Sequence, residues 1–184
     1  MRVIAGTARR MVLVAPKGTD TRPTGDRAKE GLFNIIGPQI VGARFLDLFC
    51  GSGVIGIEAL SRGASEAVFA EQAKPALDAL KKNISAVRMD SAAVILPMSV
   101  SDAVRQLERE GREFDIVFLD PPYGKGLIEG TISDLAKSSV VNKDGLIIAE
   151  TETSLPLPET SLLEQKRDYG RTRFLFFRIQ GETE

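Results

Sequence analysis

Two periods of hydrophobic and polar residues divide this chain. From residue 44 onward, apolar runs of strand length alternate with segments whose apolar residues recur every three or four positions. Residues 44–49, 66–71, 93–97, 114–119 and 146–150 are predicted strands, and 54–60, 73–87, 101–109 and 127–138 are predicted helices between them. The 73–87 helix should carry Ala73, Ala76, Leu77, Leu80, Ile84 and Val87 on one face, with Pro75 tolerated in its first turn. Val104 and Leu107 should point inward from 101–109. Strands spaced by helices of this size indicate a mostly parallel sheet covered on both faces. Two further β-like runs, 162–166 and 173–179, flank the turn signal Asp168-Tyr169-Gly170. They predict a terminal antiparallel pair at the sheet edge and bring the expected sheet to seven strands.

Residues 1–40 read differently. The runs 2–5 and 11–14 suggest a short hairpin, and 16–25 is rich in turn residues. A helix is predicted over 26–36, with Ala28, Leu32, Phe33 and Ile36 near helical spacing and Gly37-Pro38 as its stop. The expected organisation is an N-terminal extension of hairpin and helix, 1–40, followed by an α/β domain, 41–184.

The 184 residues suffice for one domain with a sizeable core. A single cysteine excludes an internal disulfide, and the absence of histidine removes imidazole as general base or metal ligand. No spacing of acids suggests a metal site. No apolar run reaches the roughly 18 residues of a membrane span, and the polar start at Arg2 does not resemble a signal peptide, so a cytoplasmic protein is expected. Net charge is −1, yet residues 1–30 and 166–178 together carry +8 against −9 for the remainder. That asymmetry permits a basic face on an acidic body, as a nucleic-acid partner would require.

The candidate chemistry lies at two predicted strand ends, where open α/β sheets bind ligands. Leu46-Asp47-Leu48-Phe49-Cys50-Gly51-Ser52-Gly53 leads from a strand through a glycine turn into a helix. Gly51, Gly53 and Gly56 match the GxGxxG pattern, and Glu71 stands twenty residues after Gly51, where a carboxylate can accept both hydroxyls of an adenosine ribose. Asp47 would oppose a pyrophosphate in that turn but would favour a methionyl amino group or a sulfonium. Cys50 is better read as a packed small side chain than as a nucleophile, since no histidine can activate it. Asp120-Pro121-Pro122-Tyr123 follows the 114–119 strand. Asp120 and the Pro121 carbonyl can accept hydrogen bonds from an exocyclic base amine and orient its lone pair, while Tyr123 can stack on the base. Together the two segments point to amino-methyl transfer from S-adenosyl-L-methionine, with S-adenosyl-L-homocysteine as product.

With these motifs in view, the sequence resembles the bacterial RNA methyltransferase family that modifies the exocyclic N2 of one guanine in small-subunit (16S) ribosomal RNA, the RsmD family. The resemblance runs from Met1-Arg2-Val3-Ile4-Ala5-Gly6 through Arg22-Pro23-Thr24-Gly25-Asp26-Arg27 and Glu30-Gly31-Leu32-Phe33-Asn34. It continues through Glu58-Ala59-Leu60-Ser61-Arg62-Gly63 and Asp120 to Tyr123 as far as Tyr169-Gly170. It implies a Rossmann-like class I methyltransferase fold. Asp47, Cys50, Gly51, Ser52 and Gly53 would line the cofactor site, and Glu71 would hold the ribose. Asp120 to Tyr123, with Pro122 among them, would form the target-base pocket. Arg22, Thr24 and Arg27 would lie near the cofactor or RNA entrance, and Arg9, Arg10, Lys17 and Arg171 would be candidates for phosphate contact. Relatives often carry a glycine where this chain reads Ala8-Arg9-Arg10-Met11. The acid or amide that commonly contacts adenine has no obvious counterpart in Pro97-Met98-Ser99-Val100-Ser101-Asp102, where Ser99 could serve through its hydroxyl or backbone. The implied substrate is rRNA with ribosomal proteins in a 30S or pre-30S particle; a monomer is favoured, though the sequence leaves oligomeric state open. The Asp-Pro-Pro-Tyr loop also suits adenine N6 or cytosine N4 of DNA, and a non-catalytic rRNA-binding assembly factor is the alternative from another class.

Overall fold

The computed structural model describes residues 1–16, 24–122 and 126–179. Seven strands form one sheet: β1 (Arg44–Leu48), β2 (Glu66–Ala70), β3 (Ala93–Leu96), β4 (Phe114–Leu119), β5 (Val141–Glu152), β6 (Leu163–Tyr169) and β7 (Thr172–Arg178). Their order is β3-β2-β1-β4-β5-β7-β6. The first five run parallel, and β7 pairs antiparallel with both β5 and β6. Burial on both faces explains why these strands read as near-continuous apolar runs.

The helices are α1 (Asp26–Ile36), α2 (Val54–Ser61), α3 (Lys74–Ala86), α4 (Val100–Arg109) and α5 (Leu127–Lys137). Side chains alternate across the strands into two cores. Phe45, Phe69, Phe118 and Phe174 pack with Leu32 and Leu80 on one side, whereas Leu46, Val68, Val117 and Ile147 pack with Leu107 and Leu135 on the other. The expected face of α3 is buried from Ala76 to Val87, but Ala73 caps the helix and is exposed. Strand β5 begins earlier than its apolar run. Val141 pairs with Phe114, the register shifts, and Leu146 resumes opposite Ile116. Asn142-Lys143-Asp144-Gly145, outside the predicted strand, forms that irregularity, with Asp144 at φ 68°.

The described part of residues 1–40 shares the first core rather than standing apart from it. Val3, Ala8 and Leu13 join Phe33 and Ile57 there. The expected hairpin is present as one antiparallel bridge between Arg2 and Val12, flanked by backbone bonds at 2.9 Å from Val3 N–H to the Met11 carbonyl, Leu13 N–H to the Met1 carbonyl and Arg10 N–H to the Val3 carbonyl. Ile4 and Ala5 donate to the two carboxylate oxygens of Glu58 at 2.8 and 3.0 Å. Ala8 donates to Ser61 Oγ at 3.0 Å, and that hydroxyl donates to the Ala5 carbonyl at 2.6 Å. Gly6, at φ 82°, lies so close to α2 that a Cβ would sit 1.7 Å from the Ser61 carbonyl oxygen. On α1, Gly31 is needed for a similar reason, since a Cβ would lie 2.3 Å from the ring of Tyr169 on β6.

Glu58 is fully buried and also accepts from Arg62 Nε at 2.7 Å. Lys29 Nζ, itself 1% exposed, lies 3.6 Å from Glu58 and donates to the Arg2 carbonyl. Burial pushes the Lys29 ammonium down from its usual range, and Glu58 opposes that shift. Removing one partner of such a pair leaves an uncompensated buried charge, worth about 3–5 kcal/mol. Glu58→Ala is therefore expected to lower unfolding free energy by about that amount, read from the denaturant midpoint at unchanged slope.

Candidate functional site

At the carboxyl end of β1 the chain turns sharply into α2. Phe49, Gly51 and Gly53 all adopt positive φ, at 58°, 55° and 78°. Gly53 is required twice over, by its left-handed backbone and because a Cβ would lie 2.2 Å from Leu80 Cδ1. Inside α2, Gly56 allows close approach to the sheet, since a Cβ would sit 2.3 Å from the Phe69 ring. Its N–H donates to Asp47 Oδ2 at 2.9 Å. Asn83 of α3 pins the turn from behind. Its Nδ2 donates to the Ser52 carbonyl at 2.9 Å and to the Val14 carbonyl at 3.0 Å, and its Oδ1 accepts from Val14 N–H at 2.8 Å.

Glu71 follows β2 and braces the same turn. Its Oε2 accepts from Gly51 N–H at 3.0 Å, and its Oε1 accepts from Gln72 and Ala73 at 2.9 and 2.8 Å. At the next strand end, Asp120 follows Leu119, which pairs with Leu48 on one side and Ala149 on the other. Glu150 is thus the neighbour of Asp120 on β5. It is 3% exposed and accepts from Thr24 Oγ1 at 2.6 Å.

These strand ends open into one cavity of about 740 Å³. Asp47, Gly51, Glu71 and Asp120 line it, with Met98 and Val100 supplying an apolar side. Met1, Ala15, Pro16 and Thr24 close it from the N-terminal segment. A smaller, mostly proline- and leucine-lined cavity of about 230 Å³ lies across Pro121 and Pro122.

The site is electrostatically unusual. Burial pushes the Asp47 carboxyl up to about 7, against the Gly56 N–H and aided by the charge of Glu71. Burial, then Glu150, then Asp47 hold Asp120 well above the usual carboxylate range. Burial pushes Glu150 up to about 7, opposed by the Thr24 hydroxyl. Among the described residues no salt bridge reaches any of these four carboxylates, and no acid group is placed to hold a metal. A cationic ligand with ribose hydroxyls and a flat apolar base fits this donor set. It neutralises buried negative charge, and the free lone pairs of Glu71 can accept hydroxyls.

The structure brings Asp47, Cys50, Gly51, Ser52, Glu71, Thr24, Asp120, Pro121 and Pro122 to the large cavity. Gly53 shapes the turn behind it. Ser99 is not on its wall; the hydroxyl caps α4, accepting from Asp102 N–H at 3.2 Å and donating to its carboxylate at 2.6 Å. Burial, with Asp47 and Glu71 nearby, raises the Cys50 thiol well above its usual range, which makes it a poor nucleophile. Arg27 is exposed on the first turn of α1, and Arg171 on the β6–β7 turn. Arg9 and Arg10 are exposed on the turn that follows Thr7 and Ala8, whose N–H groups bond Ser61 at the end of α2 away from the glycine turn. Lys17, Arg22 and Tyr123 lie outside the described residues. Glu150, Asn83 and Met98 were not singled out in the sequence. The signal for Glu150 was available, an acid ending an apolar strand beside another that ends in Asp120.

The family model described as conserved hypothetical protein 95 matches residues 1–178. The chain belongs to this family, the RsmD family. A relative named ribosomal RNA small subunit methyltransferase D from Haemophilus influenzae is 41% identical over 90% of this chain and 88% of its own. One of the same name from Escherichia coli K12 is 35% identical over 100% and 93%. A solved structure of a hypothetical protein from Thermus thermophilus superposes with a TM-score of 0.84, at 29% identity, over 97% of this chain and 99% of that one. The RNA methyltransferase from Salinibacter ruber, solved with S-adenosyl-L-homocysteine, reaches 0.69 over 89% and 97% of the chains at 12% identity, a likeness of fold alone. The RsmD-family chain has the Rossmann-like class I methyltransferase fold. No helix among its described residues is long and apolar enough to cross a membrane.

The raised Asp47 carboxyl makes a stability prediction for the ligand-free protein. Its folded value, about 7, lies above the ordinary 3.8. The stability it contributes is therefore fully present below pH 3.8 and is lost as pH rises through 7, at about 1.4 kcal/mol per pH unit. Asp47→Asn removes that loss. The variant is expected to gain on wild type between pH 5 and 7 and to hold a constant advantage above, as read by denaturant unfolding across that range.

Proposed function

We propose that this RsmD-family chain transfers the methyl group of S-adenosyl-L-methionine to the exocyclic N2 of one guanine in small-subunit (16S) rRNA. The carrying observation is the cavity at the ends of β1, β2 and β4, whose carboxylates have no salt-bridge partner among the described residues and call for a positively charged nucleoside. The names of the relatives support an rRNA substrate.

When bound, the cofactor supplies a methyl group on a sulfonium that needs no further activation. Asp47 balances its positive charge, and Glu71 accepts the ribose hydroxyls while holding the glycine turn. Met98 and Val100 flank the adenine, with Gly51, Ser52 and Cys50 forming the near wall. Asp120 accepts a hydrogen bond from the target amine and, with the Pro121 carbonyl, turns the nitrogen lone pair toward the methyl group. Pro122 and Tyr123 complete the base pocket, Tyr123 by stacking. Thr24 sits at the entrance, and the N-terminal extension, 1–40, faces the RNA. Arg22 and Arg27 join Thr24 near the cofactor or RNA entrance, Arg9, Arg10, Lys17 and Arg171 contact phosphate, and the RNA is presented in a 30S or pre-30S particle. The enzyme works as a monomer in the cytoplasm.

The test uses labelled S-adenosyl-L-methionine with unmodified small-subunit particles, naked rRNA and DNA, followed by mass spectrometry of the digests. N2-methylguanine at one small-subunit site is the expected product. Label on DNA, or on no natural RNA particle despite tight RNA binding, would overturn the reading. Asp120→Ala is expected to lower transfer by at least about 100-fold while RNA retention in a gel-shift assay persists.

A further inference from the structure

We infer that Glu150 is a positioning residue for proton removal. Its carboxylate, held by Thr24, pairs with that of Asp120 so that the two act as one proton-accepting unit behind the target amine. This inference rests on the amino-methyl transfer proposed above.

The geometry comes from the sheet. In parallel strands the residues that follow paired neighbours lie side by side, and Leu119 pairs with Ala149. Asp120 and Glu150 therefore project from adjacent strand ends toward the same side as Phe118 and Ile148, the side of α1 and α2. Asp120 lines the cavity, whereas Glu150 is buried behind it. Glu150 thus reaches the substrate only through Asp120. Thr24, the one residue of the Arg-Pro-Thr segment within the described residues, donates to Glu150 at 2.6 Å. A buried carboxylate serves no packing need at that position, where an amide or an apolar side chain would fill the same space without the cost of burying charge.

Among the described residues, other charged groups around the pair do not neutralise it. Asp47 flanks Asp120 from β1, and Glu71 lies beyond it. Phe174 of β7 is in register with Glu150, and Arg167 of β6 with Phe174. Arg167 is exposed. Tyr169 packs on the Phe174 ring, with 6.0 Å between centroids. From α1, Arg27 is exposed and Lys29 is committed to Glu58. Glu152 continues along β5 at the cavity wall. Two adjacent carboxylates, Glu150 buried and Asp120 half-buried, cannot both ionise freely, so each raises the affinity of the other for a proton.

The chemistry needs such an acceptor. The lone pair of the amine nitrogen forms the new bond to carbon. The carbon–sulfur bond breaks, and its electrons stay on sulfur, which becomes neutral. The methylated nitrogen carries a positive charge until one N–H proton passes to Asp120, neutralising that carboxylate. Glu150 makes Asp120 more basic than a lone carboxylate, and the proton then leaves to water through the cavity mouth.

The first measurement needs no cofactor. Carboxyl carbon NMR titration of the ligand-free protein is expected to show Asp120 and Glu150 titrating together above the usual carboxylate range. In Glu150→Gln the Asp120 midpoint should fall by about one pH unit or more. The second measurement is kcat against pH on the small-subunit particle. The acid limb should move down by a matching amount, and the plateau should drop about tenfold or more, with the KM for S-adenosyl-L-methionine within about threefold of wild type. If Glu150→Gln does not fold, Thr24→Val removes only the hydrogen bond that favours the ionised Glu150, and the Asp120 midpoint should move in the same direction. Active wild type with an unmoved Asp120 midpoint and acid limb overturns the role of Glu150 and leaves the proposed methyl transfer standing. Wild type that methylates no RNA overturns the functional reading, and this inference with it.

Discussion

A single buried carboxylate, Glu58, ties three separate parts of the chain together. It accepts from two N–H groups of the N-terminal segment, from Arg62 on its own helix, and faces Lys29 of α1. Desolvating that many charges is expensive, and the cost is met only because the carboxylate oxygens find partners from each direction. The consequence reaches the site. With residues 1–16 fastened along α2, Met1, Ala15 and Pro16 become a wall of the large cavity. Asn83 extends the same logic by joining Val14 to the Ser52 carbonyl, so the N-terminal wall and the glycine turn are one rigid piece.

The cavity itself is built against the grain of stability. Asp47 and Glu150 are buried and Asp120 is half-buried at the ends of neighbouring parallel strands, where an apolar residue would pack at less cost. A protein keeps such charge when a ligand supplies the opposite sign, so the strain is local and functional. Glu71 differs from the other three. Its three backbone partners give it a structural task in shaping the turn as well as a place on the cavity wall.

Much of the fold was legible because helix and strand periods are local properties. The bounds of α1 and β4 coincide with the predicted spans, and the terminal antiparallel pair lies at the sheet edge as its turn signal indicated. The differences have physical causes. Residues 142–145, outside the predicted strand, form an irregularity within β5, since neighbouring strands stabilise a backbone that local propensity disfavours. The N-terminal hairpin keeps its cross-strand bonds from Val3, Arg10 and Leu13, while Ile4 and Ala5 beyond them bond to Glu58, distant in sequence. Ser99, suggested for adenine through its hydroxyl or backbone, uses the hydroxyl to cap α4, and its neighbours Met98 and Val100 line the cavity.

The sequence by itself determined the α/β class, the order of its elements and the two strand ends that carry acids and glycines. Those features follow from short-range spacing and from the rule that open parallel sheets gather ligands at their carboxyl edge. Only the tertiary structure decided which distant groups meet there. Thr24 and Glu150 are 126 residues apart, and Val14 and Asn83 are 69 apart, yet each pair shares a hydrogen bond. No periodicity encodes such contacts. They depend on strand order, register and the path of the N-terminal segment, which are settled only when the whole sheet closes on both cores.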